Sequence, residues 1–301
     1  MDSKTREKWF RACSDCRINE IKMLVESGRV VNVNTLNRKG NTGLMECSAF
    51  YSSAAEVVAY LVSVGARVDI KNPFTGDSVL TRILENGPGM PHLFKICETL
   101  LEAPGSDVNI RNKARDTPLM LALRYPRDSK TELIQLLLKW GADVNAKNLK
   151  DETALMYLAQ WKYACITDIV RMLVNAGANV NAQDYMGRTA LMREVYDWNS
   201  DAVSSLIENG ASIHITDNHN NTVIERFYDR YRWVPCYRTR EARLIERILK
   251  KEDTRNALCG WALQKRCVSE CNGAFREWYF TPGNPGAVSA QTHFETMLSD
   301  S

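Results

Sequence analysis

The chain has 301 residues, 45% of them hydrophobic, with 39 basic against 36 acidic side chains and a formal charge of +3. That length can bury a sizeable core, and the near balance of charge excludes a nucleic-acid footprint spread over the whole surface, so an electrostatic partner must be read locally. The start MDSKTREKWF is charged and leads into no apolar signal segment, no run approaches about eighteen apolar residues, and the nine cysteines are scattered; the expectation is a soluble intracellular chain, cytoplasmic or nuclear, with reduced, packed thiols.

The first elements lie in WFRACSDCRINEIKMLVESG from Trp9, whose apolar spacing predicts two helices around Trp9, Ala12, Ile18, Ile21, Leu24 and Val25. From there the chain repeats itself. A Thr-x-Leu type of step recurs as NTGL at Asn41, DSVL at Asp77, DTPL at Asp116, ETAL at Glu152, RTAL at Arg188 and NTVI at Asn221, at intervals of 36, 39, 36, 36 and 33 residues. A second phrase runs ahead of these steps: GARVDIKN at Gly65, GSDVNIRN at Gly105, GADVNAKN at Gly141, GANVNAQD at Gly177 and GASIHITD at Gly210. Two phrases in fixed register define one repeated unit.

Each unit reads as helix, turn, helix and glycine stop. Thr117 and Pro118 are a helix start, the hydroxyl capping open amides and the proline tolerated in the first turn. A second apolar-periodic run, ELIQLLLKW from Glu132, stops at Gly141, which suits a positive φ. The Val-Asn-Ala-Lys-Asn stretch is too brief for a sheet, and its neighbouring Asn, Asp and Gly residues favour a tight hairpin. Insertions between the helices are expected at Pro126 to Asp128 and at Lys162 to Ala164. The third copy diverges most, with LENGPGMPHLF between its helices and Ala103-Pro104 before its glycine. One pair cannot cover its own apolar face, so copies must stack.

The register fades toward Lys250. From Arg226 to Lys251 nine basic residues accompany three acidic ones. Two readings stay open there: a dock for an acidic partner, or the polar outer face of a terminal repeat. Residues 251–301 then hold Leu258, Trp261, Leu263, Phe275, Trp278 and Tyr279, which call for cover by the last repeat or by a partner.

TPLMLAL, ELIQLLLKWGADVNAKN, ETALMYLAQ, DIVRMLVNAGANVNAQD and RTALMREV resemble the ankyrin repeat family, in a register that holds from about Trp9 to Asp217. The resemblance implies a mainly α solenoid of stacked helix-turn-helix pairs with short β-hairpin loops. It assigns residues 1–250 to an ankyrin domain of about six to seven repeats, the first and last degenerate, and 251–301 to a capping or partly disordered tail. It also implies a non-enzymatic scaffold that binds a protein or peptide in the concave groove of hairpin tips and inner helices. Carried over by position, the tips are Arg38 and Lys39, Phe74, Lys113 and Ala114, Leu149 and Lys150, Tyr185 and Met186, and Asn218 and His219. With the exposed ends of the first helices, the candidate contacts become Phe50, Phe74, Arg124, Tyr125, Gln160, Trp161, Tyr185, Tyr196, His219 and Arg230. Aromatic side chains and arginine dominate interface energetics because they bury much area with few rotors. The competing reading folds the inter-helix loops back over these rings.

Nothing in the sequence announces catalysis. There is no glycine-rich phosphate loop, no HExxH helix and no Gly-x-Ser-x-Gly elbow, and His92, His214, His219 and His293 are far apart. No catalytic residue, cofactor, membrane or nucleic-acid partner is expected, and no metal: Cys259, Cys267 and Cys271 with His293 lack the short knuckle of structural zinc. Ala262-Leu263, Cys267 and Cys271 faintly resemble the box by which some ankyrin proteins recruit Elongin and a cullin, which makes a substrate-recognition adaptor of a ubiquitin ligase the alternative. Cys271 stands where an aliphatic belongs, and no Leu-Pro motif follows. Asn145 and Asn181 look like asparagines that a hydroxylase modifies in ankyrin repeats, and a role in the hairpin explains them equally well.

Overall fold

The structure is a computed structural model that describes residues 2–47, 53–86, 92–124, 130–160, 166–233 and 240–255. Its helices come in seven pairs: α1 Ser3–Ser14 with α2 Ile18–Glu26; α3 Gly43–Glu46 with α4 Ala54–Ser63; α5 Val79–Asn86 with α6 Leu93–Glu102; α7 Pro118–Arg124 with α8 Lys130–Lys139; a 3₁₀ helix Ala154–Gln160 with α9 Ile166–Asn175; α10 Ala190–Tyr196 with α11 Ser200–Glu208; and α12 Val223–Trp233 with α13 Arg240–Arg255. First helices pack in file, α3 on α5, α5 on α7, α7 on the 3₁₀ helix, that helix on α10 and α10 on α12; α4, α6, α8, α9 and α11 form the second file. The result is a two-layered stack with no strand among the described residues. The chain divides into two compact units, Met1–Ile245 and Glu246–Ser301.

The repeated Thr-x-Leu step works as a cap. Thr42, Thr117 and Thr189 each accept from the amide three residues on, at 3.2, 3.4 and 3.3 Å. Thr222 adds the reciprocal bond, its own amide donating to Glu225 at 2.7 Å, so two otherwise open amides are satisfied together. Thr153 is the exception: its buried hydroxyl has no partner, and the helix behind it is 3₁₀ instead of α. The second helices end as expected. Gly141 takes a φ of +82°, and the amides of Gly141 and Ala142 turn back to Leu138 and Leu137 at 3.0 Å.

Position in the stack sets how much of each helix is apolar. Leu119 to Leu123 of α7 are buried without interruption, because this short helix packs against α5, α8 and the 3₁₀ helix. In the first pair Trp9, Ala12, Ile21 and Leu24 are buried as expected, but Ile18 and Val25 are only half-buried. Cys13 and Cys16 are buried in the core of this pair. Gly43, at the start of α3, is small for a packing reason. A Cβ there would lie 2.9 Å from the Trp9 ring and 3.0 Å from the Cys13 sulfur.

Candidate partner-binding surface

Between one helical pair and the next the chain doubles back in a short loop that opens on Asn37, Asn72, Asn112, Asn148, Asp184 or Asp217. The opening residue's amide donates to the carbonyl that closes the loop, as from Asn148 to Glu152 at 3.1 Å and from Asp184 to Arg188 at 3.0 Å. Its side-chain oxygen accepts from the amides two and four residues on: Lys150 at 2.8 Å and Glu152 at 3.0 Å for Asn148, Met186 and Arg188 at 2.9 Å for Asp184. A short oxygen-bearing side chain recurs there because it ties its own loop.

Neighbouring tips are joined through the backbone. Lys113 donates to the Thr75 carbonyl at 3.3 Å, and Leu149 to Ala114, Tyr185 to Lys150 and Asn218 to Met186 at 3.0 Å. Gly187 shows how close they come. With φ at +74°, a Cβ on it would stand 2.7 Å from the Asn218 nitrogen, so both conformation and space demand glycine. The tips therefore form one continuous row.

Phe74 and Tyr185 lie on that row, 64% and 55% exposed. His219 is exposed at the last tip, its amide held by Asp217 at 2.8 Å. Tyr196 is 49% exposed at the end of α10. Leu149, 65% exposed, belongs with them; the sequence places it at a tip, but aromatic content drew attention elsewhere. Gln160 and Arg230 sit on helices, with their side chains outside the described residues, and Phe50, Tyr125 and Trp161 lie outside them entirely, as do both insertions.

Arg124 is in a different situation. Its guanidinium bonds Asp116 at 2.8 Å, lies 3.7 Å from Glu85 and stands over the Tyr157 ring, 5.4 Å from its centroid. It belongs to a chain of polar contacts along the first helices. The Tyr157 hydroxyl donates to Asp116 at 2.6 Å, and Asn148 donates to Asp116 at 3.0 Å, to Tyr157 at 2.9 Å and to Glu152 at 2.8 Å. Glu152 then meets Arg193 at 2.6 Å, and Arg193 meets Asp184 at 2.8 Å, with Arg188 on the same carboxylate at 2.9 Å. Arg226 pairs with Asp217 in the same way. Burial works against ionising Glu152 and Asp184, but the bonds from Arg193, with Asn148 on one and Arg188 on the other, hold both carboxyls below their ordinary values. The Tyr157 hydroxyl is pushed up by burial and by its bond to Asp116. On the inner helices these arginines are matched by carboxylates.

A second ladder runs along the loops. Asn34, Asn109, Asn145 and Asn181 each reach the next unit's glycine stop, donating to the carbonyls of Gly65, Gly141, Gly177 and Gly210 at 2.9 to 3.2 Å. Each also accepts the amide two residues beyond that glycine, at 2.7 to 2.8 Å. Asn145 and Asn181 are thus clamps between repeats, a role visible in the sequence only as recurrence. Among the buried groups left unmatched is a carboxylate: neither oxygen of Glu194 in α10 has a hydrogen-bond partner. Burial, then the Asp197 charge, push its carboxyl well above the ordinary 4.5, and the approach of Asn199 offsets part of this.

Among the described residues no cluster of His, Cys, Asp and Glu has the geometry to hold a metal, and no helix is long and apolar enough to cross a membrane. Cys13, Cys16, Cys47 and Cys97 are buried cysteines. The Cys259, Cys267, Cys271 and His293 group and the ligase-box resemblance at Ala262 to Cys271 lie outside the described residues.

Ankyrin repeats, by their family model, match residues 90–184 and 128–217. With the paired helices and the hairpin row, this identifies residues 90–217 as ankyrin repeats. Among solved structures it is similar to the ankyrin repeat domain of Bcl-3, a member of the IkappaB protein family, with 24% identity, a TM-score of 0.59, and coverage of 75% of this chain and 97% of that one. At that identity the likeness is one of fold. No curated protein matches the chain.

Proposed function

We propose that the chain is a non-enzymatic protein-protein interaction module, binding a protein or peptide along its hairpin tips and the adjoining ends of the inner helices. The observation that carries this is the exposure of Phe74, Leu149, Tyr185 and Tyr196 where stacking does not need them. Residues 1–250 form the binding domain in this reading. The buried cysteines of the first three repeats suit a reducing, intracellular setting. An acidic partner at Arg226 to Lys251 has less support than the row of tips, because Asp217 takes Arg226 and Glu246 takes Lys250.

The test is recovery of bound proteins, by mass spectrometry, from cells expressing the full chain or its Phe74→Ala/Tyr185→Ala/Tyr196→Ala variant. Loss of the specific partners with an unchanged circular dichroism spectrum is expected. An unchanged partner set would sink the reading.

A further inference from the structure

The charge on the hairpin row differs from that on the helices behind it. Arg38, Lys39, Lys113, Arg115 and Lys150 are exposed at or beside successive tips, and none lies within ion-pair distance of a carboxylate among the described residues. Of the acids at these tips, Asp77 and Asp116 are buried and Glu152 is half-buried, and Asp151 is exposed among the cations. Three arginines of the inner helices, by contrast, are matched: Arg124 by Asp116, Arg193 by Glu152 and Asp184, and Arg226 by Asp217. A chain of net charge +3 thus concentrates unmatched positive charge on one line. Phe74 and Leu149 stand between cations on that line and Tyr185 on the next tip beyond Lys150, all more than half exposed. Backbone bonds from the second tip onward, and the Asn72 side chain donating to the Lys39 carbonyl at the first, hold the line in register, so a ligand meets a preorganised surface.

We propose that this row takes an extended acidic segment of a partner protein, its carboxylates set against Lys39, Lys113, Arg115 and Lys150 and its apolar side chains against Phe74, Leu149 and Tyr185. The inference rests on the binding-module reading and adds the partner's chemistry. Charge complementarity selects the sign of the occupant and speeds its arrival. The interleaved apolar groups select a polypeptide over a nucleic acid: Leu149 offers no ring for a base to stack on, and its neighbours are spaced by cations instead of forming an aromatic platform. An extended segment fits because the features repeat once per tip along a line.

Fluorescence anisotropy on the full chain tests this with three labelled probes: a peptide alternating glutamate with leucine and phenylalanine, the same peptide with glutamine for glutamate, and a single-stranded oligonucleotide of equal charge. The acidic peptide should bind at least about tenfold more tightly than either of the others, and should weaken with added salt. Lys39→Glu/Lys113→Glu/Lys150→Glu and, separately, Phe74→Ser/Leu149→Ser/Tyr185→Ser should each weaken it about tenfold or more. Both sets change exposed side chains, and circular dichroism checks that the fold is kept. Equal binding of the glutamine peptide, preference for the oligonucleotide, or indifference to either triple variant overturns the proposal. Partners recovered from cells separate the two levels. If they survive the charge reversal but are lost with Phe74→Ala/Tyr185→Ala/Tyr196→Ala, the binding module stands and the acidic segment falls.

Discussion

Two junctions of the same stack are built differently. Between the third, fourth and fifth repeats, Asn109 and Asn145 reach across to the glycine stop of the next unit with paired hydrogen bonds, at 2.7 to 3.1 Å. Asp69 stands in the same register between the second and third repeats. A carboxylate has no N–H to donate, and it turns instead to Arg67, at 3.0 and 2.6 Å. Yet α4 packs on α6 as α8 packs on α9, and Leu61, Ile96 and Leu100 are as buried as Leu137 and Ile169. The difference teaches that buried apolar surface holds the stack, while the asparagine clamp adjusts it.

The largest effect should come from the core. Leu137→Ala in α8 and Leu100→Ala in α6 should each cost about 2 to 5 kcal/mol in urea unfolding, from lost burial and a residual cavity. Similar costs at the clamped and unclamped junctions would support apolar stacking as the common cause; a much smaller cost at Leu100 would break the comparison.

Glu194 tests a flaw inside the regular region. It stands as many residues after Thr189 as Leu158 does after Thr153, and it is buried without a partner. Burial raises its carboxyl above the ordinary value in the fold, so the unfolded chain ionises first, and native stability should fall as pH rises above about 4.5, that ordinary value. Glu194→Leu should stabilise the protein by about 1 to 3 kcal/mol at neutral pH, as an unsatisfied buried group is removed. Urea midpoints at about pH 5 and about pH 8 should then lie closer together than in the parent. Glu152 and Asp184, with depressed carboxyls, act on the other side: their contribution is lost as pH falls below the ordinary carboxylate range.

The smallest effect sharpens the comparison most. Asn145→Ala removes both bonds to the next repeat and should cost about 1 kcal/mol, since both are solvent-accessible. The reciprocal change, Asp69→Asn, puts an N–H beside Gly105 and should recover about 0.5 kcal/mol or more. Thermal unfolding of the two variants reads both signs. No gain at Asp69 would mean that Ala103-Pro104 has moved the glycine stop out of reach.

Much of this architecture was legible in the sequence. Pair boundaries, glycine stops and tip positions rest on local rules, namely capping hydroxyls, positive-φ glycine and short oxygen-bearing side chains that bond their own loops. The 3₁₀ form of the fifth repeat's first helix was not legible: ETAL at Glu152 reads like RTAL at Arg188, and what separates them is the neighbourhood of Tyr157, whose hydroxyl is held by Asp116 of the preceding repeat. The half-exposure of Ile18 and Val25 was hidden for a similar reason, since a terminal repeat has one neighbour instead of two.

By itself, the sequence determined that the chain is a stack of helical pairs with a row of hairpin tips, because each unit's signals lie within a few residues of one another. Only the tertiary structure decided which cations are matched. Arg193 finds Glu152 across 41 residues of chain, while Lys113, equally basic in the sequence, stands exposed at a tip with no carboxylate within ion-pair distance among the described residues. Pairing between repeats depends on reach and direction in space, and spacing along one chain does not encode it until the stack has formed.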